Sequence, residues 1–405
     1  MSERLKRILL ISGFLLVVFG IAVAIYLVFF GKILGTTQPV TTTTGQPTSK
    51  TGLPSSQAGQ PSTTTGNAGT TTLPVSSIAS GGLTATTQLT SSEILAPTLS
   101  ADGKRISYYD PTDGKFYTID SKGNVVALST ATFPNAKTIV WDRASKEVVV
   151  EFPDNSNVIY NFDEQKQTTL PAHWEDFNFS PDGTQVIAKN EAIDPNARSL
   201  VITNTDTSGT KAIESLGQNS DKVQISWSPN DQVVAFSATG TEQTGFGRKM
   251  IVPIGKNKEN FTGLIVEGLS FHANWTPDGA RIVYDVTGEV SDYKPLLWIV
   301  DGTSATMGKN RRSLGVNTWI DKCAFASSSA LYCAVPITMN TNAGLQPDLL
   351  TSDDAIYTVN IDSGNVTLIG VPETSTQMSH LVVSTDGSLL YYTDKRGRLQ
   401  FMRLK

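Results

Sequence analysis

Histidine and cysteine are scarce in this sequence: His173, His272 and His380 are its three histidines, and Cys323 and Cys333 its two cysteines, among 405 residues. Zinc sites gather three or four such ligands in one place, so no structural metal is expected, and no cofactor. Charge is scarce too. Only 17% of the residues are charged, the net charge is -5 and no basic stripe appears, which argues against a nucleic-acid partner, whose phosphates Lys and Arg must neutralise. Hydrolase signatures are missing, since no G-x-S-x-G elbow is followed by a downstream Asp and His. The glycines of Thr244 to Lys249 lack phosphate-loop spacing and a following helix pattern, and Lys309-Asn310-Arg311-Arg312 reads as a solvated strand edge.

Long apolar runs are absent with one exception. Residues 8–30 read ILLISGFLLVVFGIAVAIYLVFF without a charge, long enough as a helix to cross a hydrocarbon core of ~30 Å. Ala22-Val23-Ala24 resembles a signal cleavage site, but a signal h-region stops at about 15 residues and apolar residues continue past this one. Arg4, Lys6 and Arg7 precede the run and Lys32 alone closely follows it, so residues 1–7 are expected in the cytoplasm and everything after Phe30 outside. From 31 to 83 the chain is rich in Thr, Ser, Gly, Pro and Gln, and Lys50 is its only charge between Lys32 and Glu93. Such a segment buries too little apolar surface to offset backbone ordering and is expected to be a disordered linker.

Beyond it a pattern repeats. LSADGKRISYYD from Leu99, FSPDGTQVIAKN from Phe179, WSPNDQVVAFSA from Trp227, WTPDGARIVYD from Trp275 and VSTDGSLLYYTD from Val383 each place an apolar or aromatic anchor before a turn and a strand. Degenerate copies begin at Trp141 and Phe325, and the seven anchors lie roughly 40 to 60 residues apart, near the period of propeller blades. Four strand signals recur per unit, which makes residues 84–405 an all-β domain, a seven-bladed β-propeller in preference to a six- or eight-bladed one. The Asp-Gly pair suits a tight reversal, and a catalytic carboxylate is not needed in five copies. Trp227 and Trp275 are expected to wedge between neighbouring blades. The last unit shows three strands, and residues 86–90 (TTQLT) read as the missing fourth, which would close the ring.

The F/W-S/T-P-D-G repeat followed by a β-strand resembles the WD40-like propeller repeats of the TolB family, also found in the propeller domains of prolyl-oligopeptidase-type peptidases. The resemblance implies a propeller that binds peptides or proteins at a face or channel mouth. The sequence departs from TolB proper in having an anchor and linker where TolB has an α/β domain, and from the peptidases in having no hydrolase domain after the propeller.

These features imply a membrane-anchored, extracytoplasmic scaffold, with an envelope protein or peptide as partner, the bilayer held through residues 8–30, and no enzyme activity of its own. The alternative is a channel-site enzyme or a sugar or metabolite sensor. Three residues before the anchors stand Ala96, Thr138, Asp176, Gln224, His272, Lys322 and His380, positions expected to ring the channel; Asp176, Gln224, His272, Lys322 and His380 are the polar candidates for binding at its mouth. Cys323 and Cys333 flank the turn of the sixth unit and are placed either to form a disulfide or to lie buried as two thiols. If the span is an anchor, full-length protein will stay in the membrane pellet after an alkaline wash and a chain starting at residue 31 will not. Release of both chains into the supernatant would refute it.

Overall fold

The computed structural model describes residues 74–245 and 247–405, together with Leu16, Phe19 and Gly20. Among the described residues no helix is long and apolar enough to cross a membrane. The span expected at 8–30 lies outside them, apart from those three residues, as does the expected linker as far as residue 73.

Seven sheets follow one another along the chain. Blade 1 comprises β3 (Leu95–Leu99), β4 (Ile106–Asp110), β5 (Lys115–Ile119) and β6 (Val125–Ala127), and blade 2 comprises β7 (Thr138–Trp141), β8 (Glu147–Glu151), β9 (Asn157–Asn161) and β10 (Lys166–Leu170). Blade 3 is β11 (Trp174–Phe179), β12 (Gln185–Asn190), β13 (Ser199–Asn204) and β14 (Lys211–Ser215); blade 4 is β15 (Val223–Ile225), β16 (Val233–Ser237), β17 (Arg248–Gly255) and β18 (Leu264–Glu267). Blade 5 is β19 (Leu269–Trp275), β20 (Arg281–Thr287), β21 (Pro295–Asp301) and β22 (Arg312–Ser313). Blade 6 holds β23 (Cys323–Ser327), β24 (Ala330–Pro336), β25 (Asp354–Asn360) and β26 (Val366–Pro372), and blade 7 holds β27 (Met378–Val383), β28 (Leu389–Asp394) and β29 (Leu399–Arg403). The fold is the expected seven-bladed propeller.

Two short N-terminal strands complete blades 6 and 7. β1 (Leu83–Thr84) runs parallel to β26, and β2 (Thr86–Gln88) runs antiparallel to β29, supplying the fourth strand of the last blade. Residues 76–82, placed by composition in the linker, also belong to this clasp: the Ala79 N–H donates to the Arg403 carbonyl (2.9 Å) and the Gly81 N–H to that of Ile369 (2.7 Å). Backbone pairing to an open strand edge does not depend on side-chain hydrophobicity, which is why composition misplaced the boundary.

Packing explains why the strands read as nearly unbroken apolar runs. Each sheet is covered on both faces by its neighbours, so successive residues of one strand enter different cores. Along β20, Ile282, Tyr284 and Val286 pack toward blade 4, and Val283 toward blade 6. Trp275 stacks on Phe236 of blade 4 at 5.5 Å between centroids, and Trp227 packs among Ile187, Leu200 and Ile202 of blade 3, both as wedges between blades.

The repeated turn is a structural unit. In blade 5 the Thr276 hydroxyl donates to Asp278 (2.6 Å), the Ala280 N–H donates to the same carboxylate (3.0 Å), and Gly279 takes φ +68°. Blades 1, 3 and 7 repeat this with Ser100–Asp102, Ser180–Asp182 and Ser384–Asp386. The Ser384 hydroxyl, joined by donors from Ser388, holds the Asp386 carboxyl down at about 2. These aspartates are committed as acceptors. The basic run is similarly engaged, with Arg311 lying over the Trp298 ring and donating to Glu267 (3.0 Å), and Arg312 donating to the Asp362 carbonyl of blade 6 (2.8 Å).

Cys323 and Cys333 face each other directly across β23 and β24 and are joined as a disulfide, buried between blades 5 and 6. Closing so short a loop stabilises by roughly 2–3 kcal/mol in the chain-entropy account.

If the clasp holds the ring shut, deleting residues 83–90 will lower the melting temperature by more than about 5 °C, because two strand pairings and the cover of blade 7 are lost. Deleting residues 40–75 will leave it within about 1 °C. Equal melting temperatures for the two deletions would exclude the clasp.

Candidate functional site

Strand direction sorts the connections onto two ends of the ring. In every blade the first strand pairs antiparallel with the second, so the S/T-x-D-G reversals lie at one end, and the starts of the first strands lie at the other with the loops between second and third strands. At the turn end Arg143 of blade 2 donates to the Pro277 carbonyl of blade 5 (3.3 Å), beside Trp141, Trp227 and Trp275 in a cavity of about 330 Å³. The loop end is where the candidate residues sit.

Equal spacing in sequence does not give equal placement there. Ala96, Asp176 and His380 take positive φ values of 48°, 55° and 49° at bulges where the register of β3, β11 and β27 shifts. Thr138 and Gln224 stand in unbroken register opposite Glu151 and Phe236. Lys322 ends a 3-10 turn, Ile320–Lys322, ahead of β23. A bulge re-aims the side chain that carries it, and apart from Ala96 the ring residues fall, by their surroundings, into two groups.

The first group belongs to blades 5 to 7. His272 Nδ1 lies 3.3 Å from the carboxylate of the fully buried Asp285, whose other oxygen accepts the Ile320 N–H of blade 6 (2.9 Å). This contact raises the His272 pKa. Lys322 Nζ donates to both oxygens of buried Asp354 (2.8 and 2.7 Å), which also accepts the Met378 N–H of blade 7 (2.6 Å). His380 Nδ1 lies 3.1 Å from the Thr393 hydroxyl, and enclosure by protein pushes its pKa down. Lys322 thus neutralises, and His272 hydrogen-bonds, a buried carboxylate that fastens its blade to the start of the next. Removing one partner of such a pair leaves a buried charge uncompensated.

The second group faces a cavity of about 590 Å³ lined by Lys137, Thr138, Glu151, Glu175, Asp176 and Gln224. Asp176 is ion-paired with Lys189, itself buried. Glu151, at the end of β8, is only 9% exposed and makes no side-chain hydrogen bond or ion pair among the described residues. Burial, reinforced by the negative charges of Asp176 and Glu175 and opposed by Lys137, pushes its pKa up to about 7. Glu151 lies outside the repeat positions that mark the ring, and its one signal in the sequence is a carboxylate closing the otherwise apolar VVVE run. Among the described residues, no group of three or more His, Cys, Asp or Glu converges closely enough to hold a metal ion.

The loops at this end carry the large exposed side chains. Ile193 between β12 and β13 is 99% exposed, Val290 between β20 and β21 is 67% exposed, and Leu349 between β24 and β25 is 71% exposed. The loops carrying Val290 and Leu349 are tied to each other. The Asn342 and Gly344 N–H groups of blade 6 donate to the Asp292 and Tyr293 carbonyls of blade 5 (both 2.9 Å), while Asp292 and Tyr293 occupy the left-handed region at φ 53° and 55°. A mostly apolar cavity of about 470 Å³, lined by Gly268, Leu269, Thr287, Val290 and Tyr293 among others, opens beside them.

Glu151 sets a pH dependence. Its folded pKa of about 7 exceeds the unfolded value of 4.5, so the folded state binds the extra proton and stability falls as pH rises through that window, by roughly 3 kcal/mol at about 1.4 kcal/mol per pH unit. Glu151→Gln will therefore be more stable than the parent at pH 8 and close to it at pH 4.5. Denaturant titrations at the two pH values check this, and a variant destabilised at pH 8 would contradict it.

No family model matches the chain, and no curated protein matches it. Solved structures do. An oligogalacturonate lyase in complex with manganese is 15% identical with a TM-score of 0.54, over 79% of this chain and 93% of that one. The oligogalacturonate lyase of Vibrio parahaemolyticus is 12% identical with a TM-score of 0.54 over the same shares, and the Cps50 (Swd1) β-propeller domain of Myceliophteria thermophila is 11% identical with a TM-score of 0.52, over 79% of this chain and all of that one. Such likeness shows the fold alone. It nevertheless corrects the expectation that the chain has no enzyme activity: oligogalacturonate lyases have the same propeller fold over 93% of their length, so this fold does not exclude catalysis. What these comparisons show of the chain is a β-propeller architecture, common to enzymes and to a WD40-type domain.

Proposed function

We propose that this chain is a membrane-anchored propeller, displayed outside the cytoplasm by residues 8–30 and a linker, that binds a protein or peptide at its loop end. The arrangement is a short tail (1–7), an anchor (8–30), a linker (31–83) and a propeller (84–405) with TolB-type repeats. The uncharged run and the basic residues ahead of it support the topology.

The observation that carries the binding reading is the apolar loop platform. Exposed Val290, Ile337, Leu345 and Leu349 lie on loops of two adjacent blades, tied together by backbone hydrogen bonds, next to the 470 Å³ cavity. Single exposed apolar residues are ordinary, but a pre-ordered group beside an apolar recess fits the apolar part of an interface.

The test is cross-linking of the full-length chain in its native membranes, followed by mass spectrometry of captured partners. The double variant Val290→Asp with Leu349→Asp should lose the partner at least tenfold while melting as the parent does, and Val126→Asp, on the outer strand of blade 1, should retain it. Undiminished capture by the double variant would move the site away from these loops.

A further inference from the structure

We infer that the cavity floored by Glu151 binds a primary ammonium group, presented as the lysine side chain of an extended peptide reaching in from the loop end. The inference rests on the peptide-binding reading and specifies its chemistry. Three observations support it. Glu151 is about nine-tenths buried, lines the cavity and has no hydrogen-bond or ion-pair partner among the described residues. Glu175 lines the same cavity, also without a side-chain partner there, whereas Asp176 is matched by Lys189, so with Glu151 ionised two unpaired carboxylates face the single unpaired cation Lys137 and the recess is net negative. Neutral polar Thr138 and Gln224 and the apolar Val140, Phe177, Val223 and Ile225 form the rest of the wall, and a volume of about 590 Å³ accommodates a lysine stem with adjoining backbone.

An arriving ammonium would donate hydrogen bonds to the Glu151 carboxylate and balance its charge, which no side chain among the described residues does. Its carboxyl is held near pH 7 without a ligand, so cation binding and proton release are linked, and affinity rises as pH passes through 7. The groups facing Glu151 are Lys137 just ahead of β7, Thr138 from β7, Asn157 opposite it on β9, Glu175 and Asp176 from β11, Lys189 from β12 through Asp176, and Gln224 from β15. Lys137 is the one competing cation on the rim, and it forms no ion pair within 4.0 Å with these carboxylates among the described residues.

The experiment is isothermal titration of the full-length chain in detergent with three probes: trilysine, its fully Nε-acetylated and N-terminally acetylated counterpart, and cadaverine. At pH 8 trilysine should bind with one-to-one stoichiometry, and the acetylated peptide should not bind. Glu151→Gln should weaken trilysine at least tenfold and remove the rise in affinity between pH 6 and pH 8, while Glu164→Gln, an exposed change outside the cavity, leaves both intact. Cadaverine binding more weakly than trilysine supports the peptide source; cadaverine binding equally well keeps the ammonium site but assigns it to free amines and overturns the peptide part. Unchanged trilysine affinity in Glu151→Gln, or no trilysine binding, overturns the inference. Loss of partner capture in the loop variants would then still stand for the broader reading.

Discussion

Because no blade can cover its own two faces, every blade of this ring depends on having a neighbour on each side. The apolar clusters lie at the seams, as at Phe236, Trp275 and Tyr284 between blades 4 and 5, or Ile94, Tyr391 and Phe401 between blades 7 and 1. A gap anywhere would expose two such faces at once. The seam between the last blade and the first is therefore the decisive one, and there the chain uses β1 and β2 to sew its beginning onto blades 6 and 7.

Polar groups within the seams are placed under the same constraint. Asp285 and Asp354 each accept a backbone N–H from the following blade, and each is met by a side chain at its own level, the His272 ring or the Lys322 ammonium. Asn157 of blade 2 does the equivalent as a donor, giving a hydrogen bond to the Trp174 carbonyl of blade 3 (2.7 Å). These fastenings gather at the loop end because that is where each first strand begins. Chemistry useful for binding and chemistry useful for assembly therefore occupy one neighbourhood. Glu151 differs from the others in having a cavity in front of it and no partner for its charge.

The turns do not share that ambiguity. Asp102, Asp182, Asp278 and Asp386 each accept from a hydroxyl and from backbone donors in the same pattern, which is how a motif that looks catalytic in one copy proves architectural in several. The likeness to solved propellers, lyases among them, gives the frame alone.

By itself the sequence determined the blade count, the four-strand order, the wedging of Trp227 and Trp275, and the strand that closes blade 7. All of these follow from local period, turn chemistry and the arithmetic of one missing strand, which do not require knowing what lies across the ring. Tertiary structure alone decided which ring residues are free. Repeat spacing put Asp176, Gln224, His272, Lys322 and His380 on one level, but bulges at Asp176 and His380 turned those residues. Lys322 was drawn to Asp354, which is distant in sequence and adjacent only in the folded blade. Glu151 was invisible for the converse reason: its burial, its missing partner and the cavity before it arise from blades 2, 3 and 4 meeting around the axis, and a carboxylate's charge state is set by what surrounds it in space.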